Sequence, residues 1–512
     1  MYNKPGVKKG NYYDYDKRLE YAEEHFTPIE PDRSLVFYYA NYSNPLSEDE
    51  NPVYLLVGVA RIKKVAPILY YDNCSERTLE RYKGFVWQRG ITSHYPEQGV
   101  RLPYHLYLDQ PDELRKFAVI PENSSLCKYA TKHLSDDDAL GLLEQLLESV
   151  RNVRDDLQDD SENWDQRIQW LESLIGELWR SRGAFPGMPS VLEYFGLNEA
   201  ISGFREMVEK GNEAQAFDEV KGFIEGQRED VAGYHPLERE LDDIRREIIL
   251  RCDSPALLLD VLALCSLSTA QVEAILDEKR EQVGITATLE EVETNPYLLA
   301  EQYTGKDSSD VIRWSLVDRG MLPSPELSAQ PRFSKNAKER IRALLLETLR
   351  HNHQQTFMRA TDLIEQVNHR IKAQPEWKQN YVTEKYLKAD SKFYEPAIHQ
   401  REEDDVNYLY DRKVWDDERL VESVFNELLV APEIQLRRPL SGDFWQKVLF
   451  NEQSSLAQKA RNEYQEAVDT QANACKSILP RRFGAITGGA GTGKTTILAA
   501  LIRAIKKTEG EG

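Results

Sequence analysis

Near its carboxyl end the chain reads Gly484-Ala485-Ile486-Thr487-Gly488-Gly489-Ala490-Gly491-Thr492-Gly493-Lys494-Thr495-Thr496. Positions 488 to 495 have the spacing G-x-x-x-x-G-K-[ST] of a phosphate-binding loop. The residues 485 to 487 before the loop predict a strand, and the apolar pattern from Ile497 to Ile505 after it predicts a helix. A strand, a glycine-rich turn and a helix, in that order, are the context in which this motif binds phosphate. The stretch therefore predicts the first β-α unit of a P-loop α/β domain.

The residues of this loop have separate physical roles in that interpretation. Glycines permit backbone dihedrals that side chains forbid, so successive amide N–H groups can converge on phosphates at the positive end of the following helix. Lys494 would reach the β- and γ-phosphates, and the Thr495 hydroxyl would bind Mg²⁺, which makes these two the candidate catalytic residues. The predicted ATP-binding residues are Gly488, Gly489, Ala490, Gly491, Thr492, Gly493, Lys494, Thr495 and Thr496.

Composition limits the function classes. The chain has 512 residues, 41% hydrophobic and 29% charged, which indicates a folded protein of several domains. With 65 Lys and Arg against 86 Asp and Glu its net charge is −21, which excludes general coating of nucleic acid or anionic lipid. Five scattered cysteines fit neither a disulfide framework nor a zinc site. The polar amino terminus and the lack of a long apolar run predict a cytoplasmic protein without a membrane partner.

The hydrophobic pattern changes along the chain. Short β-branched and aromatic runs at 35–39, 53–59 and 68–71 predict strands. Ser135 and Asp138 then have the spacing of a helix N-cap pair, and apolar residues recur with helical period over 143–157 and 168–178. We interpret the carboxylates between these two helices as a solvated connection and not as a metal site, because nothing arranges them around one point.

The glycine-rich loop resembles the Walker A segment of superfamily 1 helicases, especially the RecD-like group related to the exodeoxyribonuclease V alpha subunit. That resemblance implies a RecA-like motor domain and an ATP-dependent DNA helicase that moves along single strands. The family carries a glutamine upstream that recognises adenine, and the resemblance assigns this role to Gln471. Gln465, within a Gln-x-Ala-Val run, is the alternative.

A second, weaker resemblance lies in the middle of the chain. The Asn295-Pro296-Tyr297 segment, followed by residues 304 to 312, resembles the helix-hairpin-helix region of long RecD-like helicases, whose hairpin touches DNA phosphates. Residues 264 to 272 resemble the preceding hairpin of a tandem pair, but they contain no glycine, so a structural role is favoured there. The candidate DNA contacts in the second hairpin are Gly305, Lys306 and Ser308.

One window is basic within this acidic chain. Residues 327 to 388 contain 12 Lys and Arg against 6 Asp and Glu. Helical spacing predicts that Lys335, Lys338 and Arg342 share one face, where they could follow the phosphates of a DNA strand. A solvated helix face with no ligand is the alternative interpretation.

Together these features predict an α+β protein of several domains, with a small β-containing amino-terminal domain, a mostly helical middle with degenerate tandem helix-hairpin-helix units, and the first β-α unit of a RecA-like P-loop domain. We divide the chain into a β-containing domain (1–130), an acidic helical region (131–235), a tandem helix-hairpin-helix-like region (236–325), a basic helical DNA path (326–435) and the start of the motor (436–512).

The expected function follows from the resemblance. It is an ATP-dependent, RecD-like superfamily 1 helicase that uses ATP and Mg²⁺ and binds single-stranded DNA or a single/double-strand junction, with a possible protein partner for residues 1 to 235. The chain ends soon after Lys494, so we expect an incomplete motor that binds nucleotide without hydrolysing it. The alternatives are a non-unwinding P-loop ATPase that senses nucleic acid, and a nucleic-acid-binding adaptor with a vestigial loop.

Overall fold

The computed structural model describes residues 5–10, 12–40, 44–47, 53–68, 75–82, 90–121, 133–251, 254–306, 310–351, 355–489 and 491–510. The chain forms two compact units. Unit 1 contains Met1–Glu395 and Arg401–Leu409, and unit 2 contains Pro396–Gln400 and Tyr410–Gly512. The predicted boundaries at 130, 235 and 325 thus fall inside unit 1, and the boundary at 435 falls inside unit 2.

Unit 1 begins with two small antiparallel sheets, one of two strands and one of four. Its first elements are β1 (Lys8–Lys9), β2 (Tyr12–Tyr13), α1 (Tyr15–Phe26), β3 (Leu35–Ala40), β4 (Leu55–Val65), α2 (Glu76–Tyr82), β5 (Ile91–Ser93), β6 (Gly99–Arg101) and α3 (Pro111–Phe117). The strand β4 pairs with β3, β5 and β6, and Phe37 lies opposite Val59. The strands predicted at 35–39 and 53–59 are confirmed. Ile68 lies outside any strand, and the rest of the third predicted run lies outside the described residues.

Two long helices cover the four-stranded sheet. They are α4 (Asp136–Asp155) and α5 (Trp164–Arg182). One hydrophobic core joins them to the sheet, with Leu56 and Phe117 from the amino-terminal part and Leu143 and Leu171 from the helices all almost fully buried. This core lies on both sides of the predicted division between residues 130 and 131. A sheet must bury its apolar face against another layer, and here α4 and α5 supply that layer.

The start of α4 is fixed as its sequence predicts. The Ser135 side chain is the N-cap and accepts a hydrogen bond from the amide of Asp138 at 3.1 Å. We expect Ser135→Ala to lower the free energy of unfolding by about 1 kcal/mol, because one amide at the helix start loses its acceptor. Ser135→Asp, which restores an acceptor, should recover most of the loss in urea unfolding. Equal stability of wild type and Ser135→Ala would contradict this role of the cap.

The acidic connection between α4 and α5 is structural. The Asp159 carboxylate accepts hydrogen bonds from the Tyr107 hydroxyl at 3.0 Å and the Trp164 indole at 3.1 Å. Glu162 accepts from the Tyr95 hydroxyl at 3.0 Å and the Arg167 guanidinium at 2.7 Å. These contacts tie the connection to loops of the amino-terminal part, so part of the acid that we expected to be solvated is partnered.

Between residues 188 and 394 the elements of unit 1 are helices and one short strand. They are α6 (Met188–Tyr194), α7 (Asn198–Glu209), α8 (Glu213–Ile224), α9 (Glu238–Arg251), α10 (Pro255–Asp260), α11 (Thr269–Leu276), α12 (Leu289–Thr294), α13 (Leu298–Gln302), α14 (Trp314–Met321), α15 (Lys338–His351), β7 (Phe357–Arg359), α16 (Ala360–Lys372), α17 (Glu384–Ala389) and α18 (Ser391–Tyr394). Short 3-10 turns cover Tyr104–Leu106, Leu262–Leu264, Arg280–Val283 and Glu376–Lys378.

A buried ionic cluster lies in the centre of these helices. Asp318 on α14 accepts hydrogen bonds from Arg340 Nε at 2.6 Å, from the Tyr297 hydroxyl at 2.9 Å and from Lys378 Nζ at 3.2 Å. The side chains of Asp318, Arg340 and Lys378 are each 1% exposed. Burial alone would raise the pKa of Asp318, but Arg340 and Lys378 hold it well below its usual range. Burial lowers the pKa of Lys378 to about 8.

The remaining elements are β8 (Ile398–Glu403), β9 (Val406–Asp411), α19 (Arg412–Val430), α20 (Phe444–Leu449), α21 (Ser455–Lys459), α22 (Arg461–Ile478) and α23 (Lys494–Glu509). The order of strands in the third sheet is β7-β9-β8. The protein is thus of mixed α+β class, mainly helical with small sheets.

Candidate nucleotide-binding site

Three helices of unit 2 position the glycine-rich loop. Val468, Ala472 and Cys475 on α22 are buried with Ile497 and other apolar residues of α23. Further buried members of this core are Phe444, Trp445, Leu449, Ala500, Leu501 and Ala504. Apolar residues therefore recur on one face of α23, and their burial fixes the start of this helix against α22.

The structure corrects one element of the predicted β-α unit. Residues 485 to 487 form no strand, whereas the helix predicted at 497–505 is confirmed by α23. Ladder hydrogen bonds need a neighbouring strand, and the described strands place none beside residues 485 to 487. The segment before the loop is therefore irregular, with Ile486 packed at the edge of the helical core.

Two of the four loop glycines adopt the backbone conformation that glycine was predicted to allow. Gly491 and Gly493 have φ angles of 77° and 84°, in the left-handed region that favours glycine. Gly493 is the N-cap of α23, which starts at Lys494 and runs for 16 residues. Helix N-termini leave amide N–H groups without intrahelical partners and carry partial positive charge. The first turn of α23 contains no acidic residue, so no carboxylate there opposes an anion.

Lys494 lies across this loop. Its Nζ donates to the carbonyl oxygens of Gly488 and Gly489, each at 2.7 Å. The Thr492 hydroxyl also donates to Gly489 O, at 2.9 Å. The side chains of Lys494, Thr495 and Thr496 are exposed. An ammonium group held by two exposed carbonyls can exchange them for phosphate oxygens, which are stronger acceptors because they are charged.

Ala490 lies outside the described residues. The other loop residues predicted to bind ATP are described, from Gly488 to Thr496 on either side of that position. Thr495 follows Lys494 in the first turn of α23, where its hydroxyl could bind Mg²⁺ together with a nucleotide.

The two candidate glutamines differ in their surroundings. Gln471 Nε2 donates to the carbonyl oxygen of Thr492 at 3.2 Å, so this side chain touches the loop. Gln465 Nε2 donates to Gln446 Oε1 at 3.0 Å and to Asp469 Oδ1 at 3.1 Å, which links α22 to α20. Of the two, only Gln471 is brought to the loop by contacts in the described part of the chain.

In the second predicted hairpin, the Asp310 carboxylate binds a backbone amide. Gly305 has a φ angle of 64°, and a Cβ at this position would overlap the Asp310 carbonyl. Asp310 Oδ2 accepts the amide of Lys306 at 3.1 Å, and the Tyr303 hydroxyl donates to the same carboxylate. A phosphate would have to displace Asp310 to bind the Lys306 amide. Ser308 lies outside the described residues.

The first hairpin is built into the core. Cys265 is fully buried, and burial raises the pKa of its thiol to about 12. Ser268 and Gln271 form a reciprocal capping box at the start of α11. Arg182 donates to the carbonyl oxygen of Leu264 at 3.1 Å. These contacts are those of a structural turn.

The predicted basic face does not form as a whole. Lys335 precedes α15 instead of lying on it, whereas Lys338 begins that helix, and both are exposed. Arg342 is buried: its Nε donates to Glu301 at 2.9 Å, and its guanidinium lies 4.3 Å from the Phe393 ring centroid. Arg342 is therefore removed from the candidate DNA contacts, because its charge is neutralised inside unit 1.

Other basic side chains of the 327–388 window form ion pairs within the protein. Arg370 pairs with Glu347 at 2.5 Å, and Lys372 pairs with Glu148 at 2.6 Å. Sequence reasoning missed the partner carboxylates because they lie on other helices. A signal was present for α15, since its apolar residues surround the whole helix, which indicates burial on all sides.

The described residues lack two further features. They contain no group of three or more His, Cys, Asp and Glu side chains arranged to hold a metal ion. None of the helices in that part of the chain combines the length and apolar character needed to span a bilayer. His351 ends α15, and His353 lies outside the described residues.

Comparison with known proteins identifies a relative without a described activity. The chain is 24% identical over 513 residues to an uncharacterized protein of Methanocaldococcus jannaschii, an alignment that covers 91% of this chain and 42% of that protein. The chain thus spans less than half the length of this relative. No protein-family model and no solved structure match the chain.

Proposed function

We propose that the chain binds a nucleoside triphosphate with Mg²⁺ through residues 488 to 496, and that the protein is an ATP-dependent DNA translocase of the RecD-like superfamily 1 kind. The observation that carries the first part is the left-handed Gly493 at the start of α23, with the Lys494 ammonium across the loop. The second part rests on the resemblance of the loop and the upstream glutamine.

The residues of the loop fit this ligand. Lys494 would exchange the carbonyl oxygens of Gly488 and Gly489 for phosphate oxygens, and the amides at the start of α23 would donate to the same group. The Thr495 hydroxyl would hold Mg²⁺, which neutralises phosphate charge when bound. Because Lys494, Thr495 and Thr496 are exposed, a nucleotide can reach them without a rearrangement of the helical core.

A calorimetric titration of the chain tests the nucleotide site. MgATP is expected to bind and adenosine is not, because the described contacts of the loop are suited to phosphate and not to a sugar or base. Binding of adenosine as tight as that of MgATP would contradict a phosphate-based site. Binding is the appropriate readout because it depends on the loop and Lys494, which this chain contains.

DNA is proposed to contact the exposed lysines that begin α15. Lys335 and Lys338 remain exposed, and Arg342 is not part of this surface. We expect the double variant K335E/K338E to weaken binding of a single-stranded oligonucleotide and to reduce the slope of log K against log salt by about 1.4, since each lost phosphate contact removes about 0.7. Lys388→Glu, a charge reversal at an exposed lysine of the same window, is the control. An unchanged slope in the double variant would sink the proposed DNA contact.

One observation favours the alternative of a P-loop ATPase that senses nucleic acid without unwinding it. The Asp310 carboxylate occupies the amide of Lys306, where a DNA phosphate would bind in a helix-hairpin-helix. Single-stranded DNA should stimulate ATP hydrolysis in both a motor and a sensor, but only a motor displaces an annealed strand. A strand-displacement assay of the protein therefore separates the two.

A further inference from the structure

We infer that Gln471 is a positioning residue of the phosphate-binding loop and does not select the nucleobase; this rests on the proposed nucleotide site. The family resemblance implies the opposite role, contact with adenine. In the structure the Gln471 side chain is half-buried, and its Nε2 donates to the carbonyl oxygen of Thr492 at 3.2 Å. The contact that it makes is therefore to the loop backbone.

Gln471 is well placed to hold the loop because of its position on α22. Val468, Ala472 and Cys475 on the same helix are buried against α23, which fixes this part of α22 relative to the start of α23. Gln471 lies three residues after Val468 and four before Cys475, so it shares their helix face. A hydrogen bond from this anchored side chain restrains the loop more than one from a mobile surface residue would.

The side-chain amide of Gln471 also restrains Gly493, the residue after Thr492. A Cβ at position 493 would overlap Gln471 Nε2, so the side chain lies directly against the Gly493 backbone. Gly493 already needs its left-handed φ of 84° to start α23. The contact with Gln471 and this backbone conformation both act on the last residue of the loop before Lys494.

The hydrogen bond also orients a loop amide. The Thr492 carbonyl and the Gly493 N–H belong to one planar trans peptide unit, in which they point in opposite directions. Directing the carbonyl toward Gln471 therefore directs the Gly493 N–H away from α22. A carbonyl oxygen turned toward a phosphate would repel it, so the bond to Gln471 favours anion binding by the loop.

Recognition of adenine would require other contacts from the Gln471 side-chain amide. A glutamine recognises the adenine edge by donating with its nitrogen and accepting with its oxygen at the same time. In the structure the nitrogen is directed to Thr492 O. That nitrogen carries two N–H groups, and the bond to Thr492 O already uses one of them, so contact with a base would have to share an amide that is held against the loop.

The test compares a ligand that has a base with one that has none. Affinities of the chain for MgATP and for magnesium tripolyphosphate are measured by calorimetry in wild type, Gln471→Ala and Gln465→Ala. We expect Gln471→Ala to weaken both ligands by the same factor, about 5- to 10-fold for one lost hydrogen bond. Gln465→Ala, the matched control on the same helix, should change neither affinity because its contacts lie away from the loop.

A second variant protects the test against a folding failure. Gln471→Asn keeps the amide but shortens its reach, and it should weaken both ligands as Gln471→Ala does. Weaker binding of MgATP alone, with tripolyphosphate unchanged, would show that Gln471 reads the base and would overturn the inference. Unchanged affinity for both ligands would also overturn it. If the wild-type chain binds neither ligand, the proposed nucleotide site fails and the inference fails with it.

Discussion

Replacing Asp318 with alanine is expected to lower the free energy of unfolding by about 3–5 kcal/mol, because the buried charges of Arg340 and Lys378 lose the carboxylate that neutralises them. Arg340 Nε and Lys378 Nζ lie 2.6 Å and 3.2 Å from the carboxylate that would be lost. Lys378 can release its proton, since burial already lowers its pKa to about 8. Arg340 cannot, because a guanidinium stays charged in proteins, so most of the cost arises there.

Urea unfolding monitored by circular dichroism measures this loss. The control is Asp112→Ala, which removes a carboxylate that is 91% exposed and pairs with Arg115, and which should cost no more than about 0.5 kcal/mol. If Asp318→Ala were no less stable than this control, the buried cluster would not stabilise unit 1 as described.

The difference in stability between wild type and Asp318→Ala should also depend on pH. Because the folded-state pKa of Asp318 is held well below its usual value, its contribution to stability is present above that usual value and is lost as the pH falls toward the folded pKa. The difference in stability between wild type and Asp318→Ala is therefore expected to narrow below about pH 4. A difference that stays constant from pH 7 to pH 3 would contradict the lowered pKa.

Lys494→Ala is expected to weaken MgATP binding by roughly 100-fold, because two charge-assisted contacts to phosphate, together worth about 3 kcal/mol, are removed. Lys494 is exposed and bonds only to loop carbonyls among the contacts of the described residues, so its loss should leave the free energy of unfolding nearly unchanged. Lys494→Arg keeps the charge with a different shape, and we expect an intermediate affinity.

Lys506→Ala is the matched control for this variant. Lys506 is exposed on α23 like Lys494, but it lies 12 residues further along, roughly 18 Å from the loop. An effect of Lys506→Ala as large as that of Lys494→Ala would indicate general attraction between a positive helix and an anion, and not a site in the loop.

Local sequence signals predict local structure well in this protein. The β-branched and aromatic run at 35–39 predicts β3, the Ser135 cap predicts the start of α4, and the apolar period after the glycines predicts α23. In each case the residues that form the element also contain the signal, as N-caps and amphipathic periods do. Gln471 lies beside the loop, and its contact there is with the backbone carbonyl of Thr492.

Features that depend on distant partners were not predictable in the same way. Arg342 has the spacing of a surface face, but Glu301 from α13 neutralises it inside unit 1. Residues 485 to 487 have the composition of a strand, yet a strand forms only beside another. The sheet of the amino-terminal part shares its core with α4 and α5 because its own residues do not cover its apolar face. Each of these outcomes is set by tertiary packing, and of the three only the burial of α15 had a local signal, its apolar residues on all sides of the helix.

Titration of MgATP into the wild-type chain and into Lys494→Ala is the most direct test of the nucleotide site. Circular dichroism and urea unfolding of both proteins should first establish that they are equally folded. The account predicts saturable binding to the wild type and an affinity roughly 100-fold lower in the variant. Equal affinity of the two proteins for MgATP, or no binding to the folded wild type, would contradict it.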